Sequence, residues 1–128
     1  MSESCNLDGI NVLIAEDSPE TLLVLKKALE TRGATVNSAE DGQLALVRGL
    51  TAQVDVMIMD IQLPRLSGLD VVTRLRKEGV NTPIIALTGH EEVEHRNKCL
   101  DAGCNEYFIK PVDTNHLCRR IKALAAVE

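Results

Sequence analysis

Aromatic side chains are almost missing from this 128-residue chain: Tyr107 and Phe108 are the only two, and tryptophan is absent. Sites that recognise bases, flavins or sugars by ring stacking therefore lack their usual material, which argues against a nucleic-acid platform. Basic charge is also short. Fourteen lysines and arginines face 19 aspartates and glutamates, giving a net charge of −5 and a pI near 5.2, so direct binding of a phosphate backbone is not expected. No stretch approaches the roughly 20 apolar residues of a membrane span. The opening MSESCNLDGI has neither the positive start nor the apolar run of a signal peptide, and the chain reads as cytoplasmic. Four cysteines, Cys5, Cys99, Cys104 and Cys118, are expected to be reduced thiols, because a chain of this size has core enough without staples. His95, Cys99 and Cys104 share one segment, but the His-x3-Cys-x4-Cys spacing lacks a paired second half, so small half-buried cysteines are expected rather than a zinc site.

What is present is apolar residue in quantity, 45% of the chain, enough for one core and one domain. Residues 1–8 read as a loose tail and residues 9–128 as the domain. Short apolar runs at 10–15, 34–38, 55–59, 83–87 and 105–109 alternate with stretches of helical spacing, such as Leu22, Leu25 and Leu29 or Leu117, Ile121 and Leu124. The run at 34–38 is the least apolar and suits an edge. Gly33, Gly79 and Gly103 follow helical patterns where a left-handed cap is wanted, while Ser18 before Pro19, Ser67 and Asp113 suit helix N-caps. Repeated strand–helix–strand units demand right-handed crossovers and a parallel sheet covered on both faces. The expected fold is α/β, a doubly wound (βα)5 flavodoxin-like sandwich with strand order 2-1-3-4-5. Ligands in such sheets bind beyond the carboxyl ends of the strands near the topological switch point.

Those strand ends carry Glu16 and Asp17 after the first, Asp60 after the third, Thr88 after the fourth and Lys110 after the fifth. Any one of them alone is more simply a helix cap or a loop residue in solvent; their convergence is what carries information. Three carboxylates brought together repel, and such a cluster persists when a divalent cation neutralises it. Oxygen ligands without histidine or thiol favour Mg2+, with Mn2+ able to substitute. An ammonium from Lys110 and a hydroxyl from Thr88 opposite the metal can hold a tetrahedral anion, which together describe a phosphoryl-transfer site.

The segments VLIAEDSP, MIMDIQLPRLSG, IIALTG and YFIKPV resemble, in order and spacing, the four signature stretches of response-regulator receiver domains of the CheY-like family. The resemblance runs from about residue 10 to residue 126. It implies a phosphorylation switch of a two-component system or phosphorelay, not a free-standing enzyme, although such domains catalyse their own phosphorylation and dephosphorylation. Carried over position by position, it makes Asp60 the phosphoacceptor, served by a histidine kinase or a histidine phosphotransfer protein. Glu16, Asp17, Asp60 and the backbone carbonyl of Gln62 become the Mg2+ ligands. Lys110 pairs with a phosphoryl oxygen, and Pro111 matches the position of a cis peptide after that lysine. Thr88 bonds the phosphoryl group and, with Tyr107, forms the switch. Gln62 and His90 flank the path of attacking water and tune dephosphorylation. The output partner is expected on the face made by helix 4, strand 5 and helix 5. The segment EEVEHRNKCLDAG is the least amphipathic of the expected helices, which agrees with a weakly held element on that face.

Three other readings compete. A metal-dependent phosphatase with an aspartyl nucleophile usually has a second aspartate two residues on, where this chain has Gln62. A flavodoxin-like cofactor binder would carry a hydroxyl- or glycine-rich loop after strand 1, where Glu16 and Asp17 would repel a phosphate. A degenerate receiver that only binds partners would have lost signature positions that are all filled here. The DIQLP and ALTGH stretches resemble receivers attached to hybrid sensor kinases and phosphorelays.

Overall fold

The computed structural model describes residues 5–89 and 93–126, with side-chain surroundings in the second stretch from residue 96 onward. Five strands, β1 (Asn11–Ala15), β2 (Thr35–Ala39), β3 (Val56–Asp60), β4 (Ile84–Thr88) and β5 (Glu106–Ile109), alternate with five helices. The helices are α1 (Pro19–Thr31), α2 (Gly42–Thr51), α3 (Gly68–Lys77), α4 (Val93–Ala102) and α5 (Thr114–Ala125). All strand pairs are parallel and the order is β2-β1-β3-β4-β5, as the alternation of runs implies.

The period-two geometry of each strand sends its side chains to two separate cores. Leu13, Met57, Met59, Ile84 and Ala86 point to the face covered by α2, α3 and α4, where they meet Ala45, Val71, Val72, Leu75 and Cys99. Val12, Ile14, Val56, Ile58, Ile85 and Leu87 point the other way, against Leu25 and Leu29 of α1 and Leu117, Cys118 and Ile121 of α5. β3 and β4 are buried at every position, which accounts for their unbroken apolar runs. β2 alternates exposed and covered residues, as suits an edge; β5 forms the opposite edge. Each fully buried large aliphatic side chain contributes about 1.5–3 kcal/mol relative to exposure, so these two layers hold the sheet edge rigid where the site is built.

The helix starts match their expected caps. Ser18 accepts from the Thr21 N–H with Pro19 following, Ser67 accepts from the Asp70 N–H, and Asp113 accepts from the Asn115 and His116 N–H groups. Asp41 caps α2 in the same way, through the Leu44 N–H.

Several boundaries differ from expectation, and each strand begins one residue later than its apolar run. Strands 2, 3 and 4 run one residue further than their apolar runs, so Ala39, Asp60 and Thr88 are the last strand residues and not the first loop residues. Pairing carries on past the apolar stretch, with Asp60 level with Leu87 and Thr88 level with Ile109. Nor is the start of the chain a loose tail as far back as Cys5. Leu7 is fully buried in the core under α1 and α5, and its N–H donates to the Arg32 carbonyl at 2.8 Å. One isolated leucine among polar neighbours gives no periodic signal, which is why the sequence pattern passes over it.

Candidate functional site

The carboxyl ends of β1, β3, β4 and β5 bring Glu16, Asp17, Asp60, Thr88 and Lys110 to one edge of the sheet. Parallel pairing sets their heights. Ala15 is level with Met59, so Glu16 follows at the level of Asp60; Thr88 lies one residue beyond that level, and Lys110 follows Ile109, which is level with Thr88. Glu16, Asp60 and Thr88 are nearly inaccessible, at 1%, 4% and 1% exposure, whereas Asp17 is exposed. Carboxylate oxygens of Glu16, Asp17 and Asp60 all lie within 4.8 Å of one another. Among the described residues this acidic trio is the only group of histidine, cysteine, aspartate and glutamate side chains arranged to hold a metal.

Lys110 answers two of the three acids. Its Nζ lies 3.0 Å from Glu16 Oε1 and 3.1 Å from Asp60 Oδ2, and the peptide bond between Lys110 and Pro111 is cis. Burial by itself would lower the lysine pKa, but its pairing with the Glu16 and Asp60 carboxylates outweighs this and holds Lys110 above its ordinary value. Glu16 is raised above the usual carboxylate range, first by burial and also by the Asp60 charge, against the pull of Lys110 and the Ser18 N–H. Asp60 Oδ1 accepts from the backbone N–H of Gln62 at 3.0 Å, and Glu16 Oε2 accepts from the Ser18 N–H at 3.1 Å.

One oxygen stays incompletely served. Glu16 Oε1 is buried and faces the lysine as an ion pair, yet no donor reaches it in hydrogen-bond geometry. Three carboxylates against one ammonium leave about two negative charges at a site buried at Glu16 and Asp60 and open at Asp17, and a hard divalent cation is the natural complement. An oxygen-only donor set fits Mg2+ better than zinc. The donor chemistry and the orphaned oxygen therefore both agree with the metal expected from the sequence.

The other expected residues are placed as follows. Tyr107 sits on β5 level with Ala86, partly buried against the core under α2, α3 and α4. Gln62 is exposed in the loop after β3. His90 lies outside the described residues, as does the side chain of His95. Cys99 and Cys104 are buried on the α3–α4 side, and burial pushes the Cys104 thiol up to about 12; sealed, protonated thiols suit packing and not metal binding.

Sequence reasoning missed Gly68. A Cβ on this first residue of α3 would stand 2.2 Å from the Asp60 carbonyl oxygen and 2.8 Å from the Ile61 Cα. The helix thus begins directly on the backbone of the acidic residue, and the Gly68 N–H donates to the Ile61 carbonyl at 2.9 Å. The signal available was a glycine just after the capping Ser67, a position where its usual role as a terminator has no meaning.

Residues 12–122 match the family model described as the response regulator receiver domain. The chain belongs to that family. Among solved structures, the receiver domain of the Francisella response regulator 1452 superposes with a TM-score of 0.88 at 31% identity, covering 91% of this chain and 97% of that one. The receiver domain of the sensor histidine kinase PA1611 from Pseudomonas aeruginosa, solved with a magnesium ion coordinated in its active-site cleft, gives 0.86 at 31% identity, covering 93% and 99%. The transcriptional regulatory protein TcrA of Mycobacterium tuberculosis is 34% identical over 119 residues, 93% of this chain but 47% of the relative. The chain spans about half the length of such curated relatives. As a receiver it is a signalling domain of two-component systems and not an enzyme in the ordinary sense, and such domains work with histidine kinases or phosphotransfer proteins. Among the described residues, no helix is long and apolar enough to cross a membrane.

Proposed function

We propose that this receiver is a cytoplasmic switch in which Asp60 takes a phosphoryl group from a phosphohistidine on a kinase or phosphotransfer protein. The observation that carries the reading is the buried Asp60 carboxylate, held between the acidic pair Glu16 and Asp17 and the Lys110 ammonium. An Asp60 oxygen attacks phosphorus. The P–N bond breaks, its electron pair stays on the imidazole, and the ring leaves neutral when its other nitrogen carries a proton. Lys110 follows the charge from the carboxylate to a phosphoryl oxygen, and Thr88 donates its hydroxyl to another. Glu16, Asp17, Asp60 and the Gln62 carbonyl would hold Mg2+, or Mn2+ in its place. When bound, that ion offsets the negative charge shared by the acidic pair and the incoming phosphoryl group.

The domain thereby catalyses its own modification and, by admitting water to phosphorus, its own reversal, with Gln62 and His90 setting the access of that water. Thr88 moving toward the phosphoryl group, and Tyr107 following it, would convey the change to an output partner on the face formed by α4, β5 and α5. The likeness to the receiver of the sensor histidine kinase PA1611 agrees with a sensor-kinase parent, whereas the likeness to TcrA agrees with a transcriptional regulator.

The test is incubation with a small phosphodonor, acetyl phosphate or phosphoramidate, and Mg2+, followed by intact mass measurement. One added phosphoryl group is expected, absent after chelation and absent in Asp60→Asn. An unmodified chain under all conditions, or an adduct that survives in Asp60→Asn, overturns the reading.

A further inference from the structure

The four thiols fall into two neighbouring pairs on opposite faces of the sheet, and only one pair has a member that solvent reaches. Cys99 and Cys104 lie together on the α3–α4 side, at 0% and 6% exposure, so a reagent cannot reach either without opening the core. Cys5 and Cys118 lie together on the α1–α5 side. Cys5 is half-buried and packs against the cluster containing Cys118, and its Sγ donates to the Cys118 carbonyl at 3.2 Å. Cys118 is fully buried. Leu7, two residues after Cys5, is the anchor that holds the segment in place, buried and bonded to the Arg32 carbonyl.

We propose that Cys5 and Cys118 form a reversible intramolecular disulfide that ties the start of the chain to α5. The oxidant is a low-molecular-weight disulfide of the glutathione class. The reachable Cys5 thiolate attacks one of its sulfurs, the S–S bond breaks, and one glutathione thiolate leaves and takes up a proton. The Cys118 thiolate then attacks the Cys5 sulfur of the mixed disulfide, and the second glutathione leaves in the same way. Two protein thiols are oxidised and one small disulfide is reduced to two thiols, so electrons balance.

The second step is the slower one. Burial pushes the Cys118 thiol up, the Arg32 guanidinium opposes this, and Cys5 is close enough to add to the rise. Arg32 is fixed over α5 by its bond to Asn115 Oδ1 at 2.6 Å, so it stands ready to favour the thiolate. The link would join positions 113 residues apart. Closing so long a loop restricts the unfolded chain strongly, and it forbids the Cys5–Leu7 segment from leaving the core. Cys118 lies on the buried side of the helix that carries Asp113 and His116, which line a groove with Tyr107 and Phe108. Oxidation would therefore stiffen one wall of that groove without touching Asp60.

The full reduced chain is treated with oxidised glutathione, alkylated, and analysed by intact mass and peptide mapping. Expected are two alkylated thiols in place of four, a peptide containing Cys5 linked to one containing Cys118, and a higher Tm that reverts on reduction. Cys5→Ser, at a half-exposed position that leaves the fold intact, should lose both the link and the Tm increase, and Cys99→Ser should keep them. Four free thiols, a persistent glutathione adduct on Cys5, or a dimer joined through Cys5 would each overturn the proposal.

Discussion

At Gly68 a single hydrogen stands where any other residue would carry a carbon, and the nearest atoms are the backbone of Asp60 and Ile61. An alanine there forces the start of α3 away from β3, and both stability and acceptor geometry suffer. Gly68→Ala should cost about 1–3 kcal/mol in urea unfolding, with a several-fold slower phosphoryl uptake from acetyl phosphate. Equal rates and an unchanged midpoint would show that the contact relaxes without consequence. The acids at the edge were legible in the sequence because each follows an apolar run, and their joint occurrence pointed to a metal. The pairing of Lys110 with both Glu16 and Asp60 before any phosphoryl group arrives was not legible. Spacing brings residues to an edge, but side-chain packing decides which oxygen each donor meets.

Among the elements, α4 is held at its carboxyl end by a side chain from α3. Arg96, Asn97, Lys98, Leu100 and Asp101 are exposed while Cys99 is buried, so the described side chains from residue 96 to residue 101 give the helix a narrow grip on the core. Its carboxyl end is held instead by Arg76, from the last turn of α3. The guanidinium donates to the Gly103 carbonyl at 3.1 and 3.0 Å, to the Val80 carbonyl at 2.7 Å and to Asn105 Oδ1 at 3.0 Å. Asn105 Oδ1 in turn accepts from the Ile84 N–H at 2.9 Å. One side chain thus joins the ends of α3 and α4 to the start of β4. Arg76→Ala should destabilise the domain by about 2–3 kcal/mol, with faster amide exchange concentrated in residues 96–104. A uniform loss of protection across all helices would mean that the clamp is not local to α4. The helical pattern gives α4 its weak amphipathicity from sequence alone. Arg76 gave no such signal, because an arginine in a final helical turn is ordinary and, apart from the nearby Val80 carbonyl, its acceptors lie 27 and 29 residues away. Strand ends were displaced for a related reason: a hydropathy run stops at its last apolar residue, whereas ladder bonding includes Asp60 and Thr88.

For the molecule as a whole, buried thiols couple stability to alkaline pH. Cys104 is held at about 12 against an ordinary 9.0, chiefly by burial. An acid whose folded pKa is raised keeps its proton in the native state while the unfolded chain releases it. Its effect on stability is therefore neutral below pH 9 and turns unfavourable as pH climbs toward 12, by up to about 1.4 kcal/mol per unit. Urea midpoints measured from pH 8 to 11 should fall, and Cys104→Ala, although less stable at neutral pH, should show a shallower decline. Parallel slopes for the two proteins would remove Cys104 from the account. The register of the sheet has another consequence, which concerns shape. Glu16 and Asp60 share one level, Thr88 stands one residue higher and Lys110 two, so the edge rises like a stair toward β5. At about 3.3 Å per residue, two steps of register set the Lys110 backbone about 6–7 Å beyond the backbone level of Asp60, whose carboxylate its ammonium meets at 3.1 Å. The lysine side chain spans that step. A four-carbon stem is long enough to do so, and the ammonium serves the two buried acids, Glu16 and Asp60, while Asp17 stays exposed.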